Sequence, residues 1–281
     1  MIITLSEARK EKLVIEWSDE LTGKTVQDFC DVCNAVFHDH FDLDYMSRKY
    51  EPNIYGKSLI AVLYKDSIPV AAEGAWRNDI DGRPSFQIGD TATLPAMRKR
   101  GYNTAIITNI IAQLRRNEPG GQIYRFSAEG SHSISGHMGF ARTYLYARFY
   151  RGVTEDFLES IPAIDDAYAE RFFMHKKNVC GIRITTHGGG QYYLVKKRYF
   201  KGIIPAGIFL GQASSSYEGK FERLGRCRVM LYYSRNRGIL GEKRIARIGK
   251  YDFCTSGQVM DFVPPLYKAD TNSLDFNGVN A

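Results

Sequence analysis

Arg98, Lys99, Arg100 and Gly101 stand between a run of strand character that stops at Pro95 and a run whose apolar residues recur at helical spacing. That junction is chemically suited to anions. The first backbone N–H groups of a helix have no intrahelical partner, and the helix dipole makes the same end attractive to negative charge. Three cations and a glycine there predict a seat for phosphate. Without an anion, cations at a helix start oppose the dipole, so a ligand explains them better than a merely solvated face does.

Three other groupings carry residue types that could do chemistry. Cys30-x-x-Cys33 with His38 and His40 offers zinc-ligand types. Cys33, however, falls on the apolar stripe of its own predicted helix, and free cysteine is a common core residue, so no metal is expected. His187-Gly188-Gly189-Gly190 has the look of a lipase oxyanion loop, but no G-x-S-x-G accompanies it and its place between two β runs fits a hairpin turn. Arg223 to Lys250, interleaved with Tyr232 and Tyr233 and followed by Tyr251, could meet phosphates and stack on bases; the outward face of antiparallel strands accounts for the same residues.

Composition sets the bounds. The chain has 281 residues, 44% of them hydrophobic, enough for one large core or two moderate ones. No apolar run approaches the roughly 18 to 20 residues that span a bilayer, and the N-terminus shows no signal peptide. Five scattered cysteines do not make a disulfide framework, so a cytoplasmic protein is expected. Residues 151–281 carry 20 Lys and Arg against 13 Asp and Glu, which accounts for the whole net charge of +7. That surplus favours an anionic partner.

The elements that must position these residues can be read from periodicity. EKLVIEW, 11–17, predicts a strand. Thr25 is the expected N-cap of a helix whose buried face is Val26, Phe29, Cys33, Val36 and Phe37. A shorter helix is expected over Leu43 to Tyr50. SLIAVLYKD and IPVAAEGAWRND read as a hairpin, and 85–94 as a third strand with Gly89 and Asp90 in its middle, where a bulge or a close approach is expected. Ile106, Ile107, Ile110, Ile111 and Leu114 form the stripe of the next helix. A strand QIYRFSA, a short helical segment from Glu129 to Met138 and a strand ARTYLYARFY follow. The order to residue 150 predicts an α/β fold (an α+β mixed sheet) with helices on its faces. From 151 to 281 the runs are β-rich, a C-terminal extension or second domain of unknown role.

The segment Leu94 to Ile106, L-P-A-M-R-K-R-G-Y-N-T-A-I, resembles the acyl-CoA-binding motif of the GNAT N-acetyltransferase superfamily, V-x-P-x-x-R-x-x-G-x-G/A, with Pro95, Arg98 and Gly101 in place. Gly139-Phe140 resembles the family's L-G-F, and the element order agrees over roughly residues 1–150. The second motif glycine is Asn103, the family's tyrosine four residues before the glycine of G-F is Ser135, and its upstream asparagine is Ala128.

The resemblance implies a GNAT-like fold and direct acyl transfer from an acyl-CoA, acetyl-CoA or a related one, to an amine of a small-molecule acceptor. It implies that the CoA pyrophosphate lies on the backbone N–H groups of the turn, with Arg98, Lys99, Arg100, Gly101, Tyr102, Asn103 and Thr104 as the cofactor-binding residues, and that Thr91, Ala92, Thr93 and Leu94 offer backbone hydrogen bonds to its pantetheine arm. An ammonium must lose a proton before it attacks. Asp90 is the first expected base, Glu73 the second, and His132 and His137 come third. A backbone N–H near Ala92 would bind the oxyanion, and Ser135, Tyr144 or a water would protonate the thiolate. The C-terminal cations suggest an acidic or phosphorylated acceptor. The rival readings are a CoA-binding protein without catalysis and a nucleic-acid-binding or -modifying protein that uses the basic half.

Overall fold

The computed structural model describes residues 1–38, 41–52, 55–77, 79, 83–127, 140–150, 182–187, 190–199, 204–212, 230–234, 244–256 and 262–263, with backbone alone at 48 and 127, from 142 to 253 and at 262–263. The chain divides into two compact units, Met1–Ala141 with Cys254–Gly257, and Arg142–Phe253 with Gln258–Ala281. The sequence places the division at 150/151; the first unit closes earlier and takes up four residues from far along the chain.

The first unit begins with β1 (Ile2–Ser6) and β2 (Glu11–Trp17), paired antiparallel. Helices α1 (Gly23–Phe37) and α2 (Leu43–Tyr50) follow. The N-cap of α1 is Thr22 rather than the expected Thr25: the Thr22 hydroxyl accepts from the Thr25 N–H. The reason lies outside the helix. Glu16, at the end of β2, accepts from the Thr22 N–H at 2.8 Å and the Thr25 hydroxyl at 2.9 Å, which fixes the first turn to the strand.

Strands β3 (Leu59–Lys65), β4 (Ile68–Arg77) and β5 (Ser85–Thr93) form an antiparallel meander. A 3-10 turn at Pro95–Met97 leads to α3 (Tyr102–Asn117), and β6 (Gln122–Ser127) returns parallel to β5. The strand order is β1-β2-β3-β4-β5-β6, a mixed sheet as expected. The stripe Ile106, Ile107, Ile110, Ile111 and Leu114 buries against Leu13, Ile15, Leu59, Ala61, Leu63, Ala71, Ala75, Phe86 and Ile88. Each such fully buried Leu or Ile stabilises by roughly 1.5–3 kcal/mol relative to exposure. Because strand side chains alternate, the intervening residues of β3–β5 face the other way, toward α1 and α2. There Gly74 lies against the Tyr50 hydroxyl so closely that no Cβ fits. Cys254 is buried in the α3-side core, and Ser256 bonds Ile123 twice, by its N–H to the carbonyl and by its hydroxyl from the N–H.

The second unit is β-rich. It contains β7 (Ala141–Tyr150), β8 (Ile182–His187), β9 (Gly190–Tyr199), β10 (Ile204–Gln212), β11 (Met230–Ser234), most of β12 (Arg244–Thr255) and β13 (Phe262–Val263). Their order is β12-β7-β11-β10-β9-β8, with β13 beside β11. His187 pairs with Gly190 across the antiparallel β8–β9 ladder, the hairpin expected from the sequence. Among the described residues no helix is long and apolar enough to cross a membrane, and no group of His, Cys, Asp and Glu could hold a metal ion.

Candidate functional site

Strand β5 is the centre of the site because it departs from regular pairing on both sides. Toward β4, Gly89 pairs with Gly74 and Ala92 with Ala72, so that Glu73 alone stands opposite Asp90 and Thr91. This is a β-bulge, and Asp90 adopts φ 52°, an uncommon conformation for a residue with a side chain. Toward β6, the parallel register runs Ser85–Gln122, Phe86–Ile123 and Gln87–Tyr124 and goes no further among the described residues. The two strands part just before the bulge.

Asp90 turns its carboxylate toward α2. Its Oδ2 accepts from Lys49 Nζ at 2.7 Å, the Tyr50 hydroxyl at 2.7 Å and the Tyr45 hydroxyl at 3.3 Å, and its carbonyl accepts from Cys33 Sγ. The Lys49 and Asp90 side chains are 2% and 5% exposed, so the ion pair is buried. Lys49 also donates to the Tyr45 hydroxyl, and its ammonium lies over both tyrosine rings. Burial pushes the Cys30 thiol up to about 12 and the Cys33 thiol well above its usual value, which makes both poor nucleophiles.

Glu73 faces the other way and is wholly buried. Its Oε1 accepts from the Thr91 hydroxyl at 2.7 Å, while Oε2 has no hydrogen-bond partner. Burial raises its carboxyl to about 8, against the smaller opposing effects of the Arg125 charge and the Thr91 hydrogen bond. Arg125, on the first residue of β6 past the last register pair, is buried as well, and its Nε is unpartnered. A proton acceptor tuned near neutrality thus lies beneath a half-buried threonine at the place where two strands separate.

The C-terminal end of β5 leads to the expected anion seat. Leu94 N–H is tied back to the Val70 carbonyl, and Arg98 Nε donates to the Thr93 carbonyl. Arg98, Lys99 and Arg100 are exposed, with Lys99 at φ 62° and Gly101, the N-cap of α3, at φ 80°. No side chain caps the helix and its first turn holds no acidic residue, so the N–H groups of Tyr102, Asn103 and Thr104 begin α3 among cations. The Tyr102 ring is buried and donates to Glu11, leaving only its backbone for a ligand. Asn103 is not among the positive-φ residues, so replacing the family's second glycine brings no backbone strain; its Oδ1 is buried without a partner.

The bulge brings Glu73, Asp90, Thr91 and Ala92 together and the turn gathers Arg98 to Thr104. Ser135, His132, His137, Ala128 and Gly139 lie outside the described residues, as do Arg226, Arg228, Arg235 and Arg237; Tyr144 is on β7 with backbone alone described. Sequence reasoning missed Lys49, Tyr45, Tyr50 and Arg125. Two signals could have found them: Lys49 falls four residues after Tyr45, on the buried side of a short helix, and Arg125 shares strand parity with Ile123, a charge on an apolar face.

No sequence-family profile matches the chain, and no curated protein matches it. Solved structures do. A GCN5-related N-acetyltransferase from Anabaena variabilis superposes with a TM-score of 0.55 at 9% identity, covering 86% of this chain and 72% of that one. A candidate acetyltransferase from Pyrococcus horikoshii gives a TM-score of 0.50 at 9% identity, covering 92% of this chain and 93% of that one. At such identities the likeness is one of fold.

Proposed function

We propose that this chain, which shares the fold of solved GCN5-related N-acetyltransferases, is a member of the GNAT superfamily and an acyl-CoA-dependent N-acyltransferase acting on an amine of a small molecule. The observation that carries the reading is the succession of three features along one strand. Strand β5 leaves its pairing with β6 just before the bulge and leads, through Pro95–Met97, to an uncapped, cation-flanked helix start. A CoA would lay its pyrophosphate on the N–H groups of Tyr102 to Thr104 with Arg98, Lys99 and Arg100 around it. Its pantetheine would run beside Thr91 to Leu94 and present the thioester at the bulge. Acetyl-CoA is the simplest donor.

We assign the base to Glu73 rather than Asp90. The Asp90 carboxylate is engaged by three donors and buried in an ion pair, whereas Glu73 has an unpartnered oxygen and a carboxyl raised to about 8, near a working pH. A backbone N–H of the bulge, from Asp90 to Ala92, stabilises the oxyanion of the tetrahedral intermediate. A solvent water is the simplest acid to return a proton to the departing thiolate. The cations of residues 151–281 support an acidic or phosphorylated acceptor.

Two measurements test this. Saturating CoA at ~100 Kd should raise stability by roughly 2.7 kcal/mol in thermal unfolding, and the shift should be lost in an Arg98→Ala, Lys99→Ala double variant. Thiol release from acetyl-CoA across an amine panel should then identify the acceptor. A CoA shift without thiol release from any amine would leave a binding protein; no shift at millimolar CoA would remove the cofactor and the reading with it.

A further inference from the structure

We propose that Thr91 is a catalytic residue of this site, a hydroxyl relay that carries the acceptor's proton from the cleft to Glu73. The proposal rests on the acyltransferase reading and adds a step to it.

The argument starts from strand parity. Ile88 belongs to the core on the α3 side, and in a regular strand residue 90 would share its face while residue 91 would point the other way. The bulge reverses this. Asp90 is turned aside to α2, held there by Lys49, Tyr50 and Tyr45, and Thr91 takes its place opposite Glu73. The inserted residue therefore has a chemical consequence: it brings a hydroxyl, not a carboxylate, against the buried acid. A carboxylate at that place would set two like charges side by side, one of them with no exposure at all.

Burial makes an intermediary necessary. Glu73 is 0% exposed, so an amine in the cleft cannot reach it without opening the sheet. Thr91 is half-buried and lies on the strand that borders the parting from β6. Its hydroxyl donates to Glu73 Oε1 at 2.7 Å, which leaves its oxygen lone pairs for a donor on the open side. The step balances as two coupled transfers. An N–H bond of the acceptor ammonium breaks and its proton bonds to Thr91 Oγ1, while the proton of that hydroxyl passes to Glu73 Oε1. The electron pair stays on nitrogen, the amine becomes a neutral nucleophile, and Glu73 ends as the neutral acid.

The groups around Glu73 suit this role. From β5 it meets Thr91; from β6 it feels the Arg125 charge; from β3 its opposite is Ala61; and α3 covers that face with its isoleucine stripe. Arg125 is thus the one charged group that bears on it among the described residues, and it favours the ionised, proton-accepting form. With a carboxyl near 8 and an alkylammonium near ~10.4, the transfer is uphill by a factor of about 10² to 10³, compatible with turnover at ordinary rates.

The test uses the full chain with acetyl-CoA and the best amine of the panel. Thr91→Val, of the same shape without the hydroxyl, should lower kcat by about 10²-fold, a loss far larger than any change in the KM for acetyl-CoA or in the thermal shift given by CoA, because the pantetheine would meet the backbone of Thr91 and not its side chain. Thr91→Ser should restore most of the rate. In the wild type the rate should rise through pH 8, and Arg125→Met should move that rise to higher pH. If Thr91→Val does not fold, a proton inventory in mixed H2O and D2O under single-turnover conditions on the wild type decides. A bowed plot indicates two protons in flight; a straight one overturns the relay. A wild type that turns over alongside an equally fast Thr91→Val overturns the relay alone. A wild type with neither thiol release nor a CoA shift overturns the acyltransferase reading and the relay together.

Discussion

Lys49 illustrates how much one residue can organise. Its ammonium is 2% exposed and meets Asp90 at 2.7 Å, so removing it strands a carboxylate in the interior beside a strained backbone. Breaking a buried pair from one side typically costs about 3–5 kcal/mol. Lys49→Met should show a loss of that order in urea unfolding, together with a fall in kcat, because the bulge loses its anchor; a variant as stable as the wild type would show that Tyr45 and Tyr50 suffice. Glu73 makes a prediction of opposite character. Its carboxyl sits at about 8 when folded against a usual 4.5, so between those values the folded state keeps a proton that the unfolded chain has released. Stability should therefore fall as pH rises through that window and level off above it, by an amount on the order of a few kcal/mol. Glu73→Gln should flatten the profile between pH 5 and pH 8, and an unchanged slope would argue against a raised Glu73 carboxyl.

At the scale of elements, β4, β5 and α3 work through close approach and unusual backbone. Gly74 admits the Tyr50 hydroxyl against the sheet, and any Cβ there would displace it. Gly74→Ala should destabilise by roughly 1–3 kcal/mol through overpacking and should loosen the Asp90 contacts at the same time. Gly101 begins α3 at φ 80°, in a conformation that a β-carbon disfavours by about 1–2 kcal/mol. Gly101→Ala is expected to weaken CoA binding more than it harms the fold, since the turn that aims the first N–H groups of α3 is what it distorts; comparing the CoA thermal shift with the ligand-free melting temperature separates the two effects. The neighbouring Lys99, at φ 62°, already carries strain of this kind, which fits a turn shaped for a ligand.

At the scale of the whole molecule, the first unit is not a contiguous stretch. Cys254 and Thr255 are buried in it, and Ser256 satisfies both backbone groups of Ile123. A chain cut after residue 150 should lose these contacts and about 2–4 kcal/mol, counting the two Ser256–Ile123 hydrogen bonds and the apolar burial of Cys254. Urea midpoints of that fragment and of the full chain measure the difference. A fragment with an undiminished midpoint would make 254–257 an ornament of the edge of β6.

Much of this protein is legible along the chain because it is local. The stripe from Ile106 to Leu114, the meander and the basic turn from Arg98 to Gly101 are patterns of a few residues, and period and turn chemistry announce them. The motif glycine and proline drew the link to one superfamily fold, and Gly89–Asp90 marked the bulge. What the sequence could not reveal is direction and partnership across distance. Whether the residue opposite Glu73 would be Asp90 or Thr91 depends on one inserted position, and a slip of one residue in a strand exchanges every side chain between its two faces. Whether Asp90 would meet a substrate or Lys49 depends on where α2 comes to rest, 41 residues earlier in the chain. Residue types led to the expectation of an acid beside an anion seat; only the tertiary structure decided which acid is paired and which keeps an unpartnered oxygen, because burial and charge are set by neighbours that the linear chain does not place side by side.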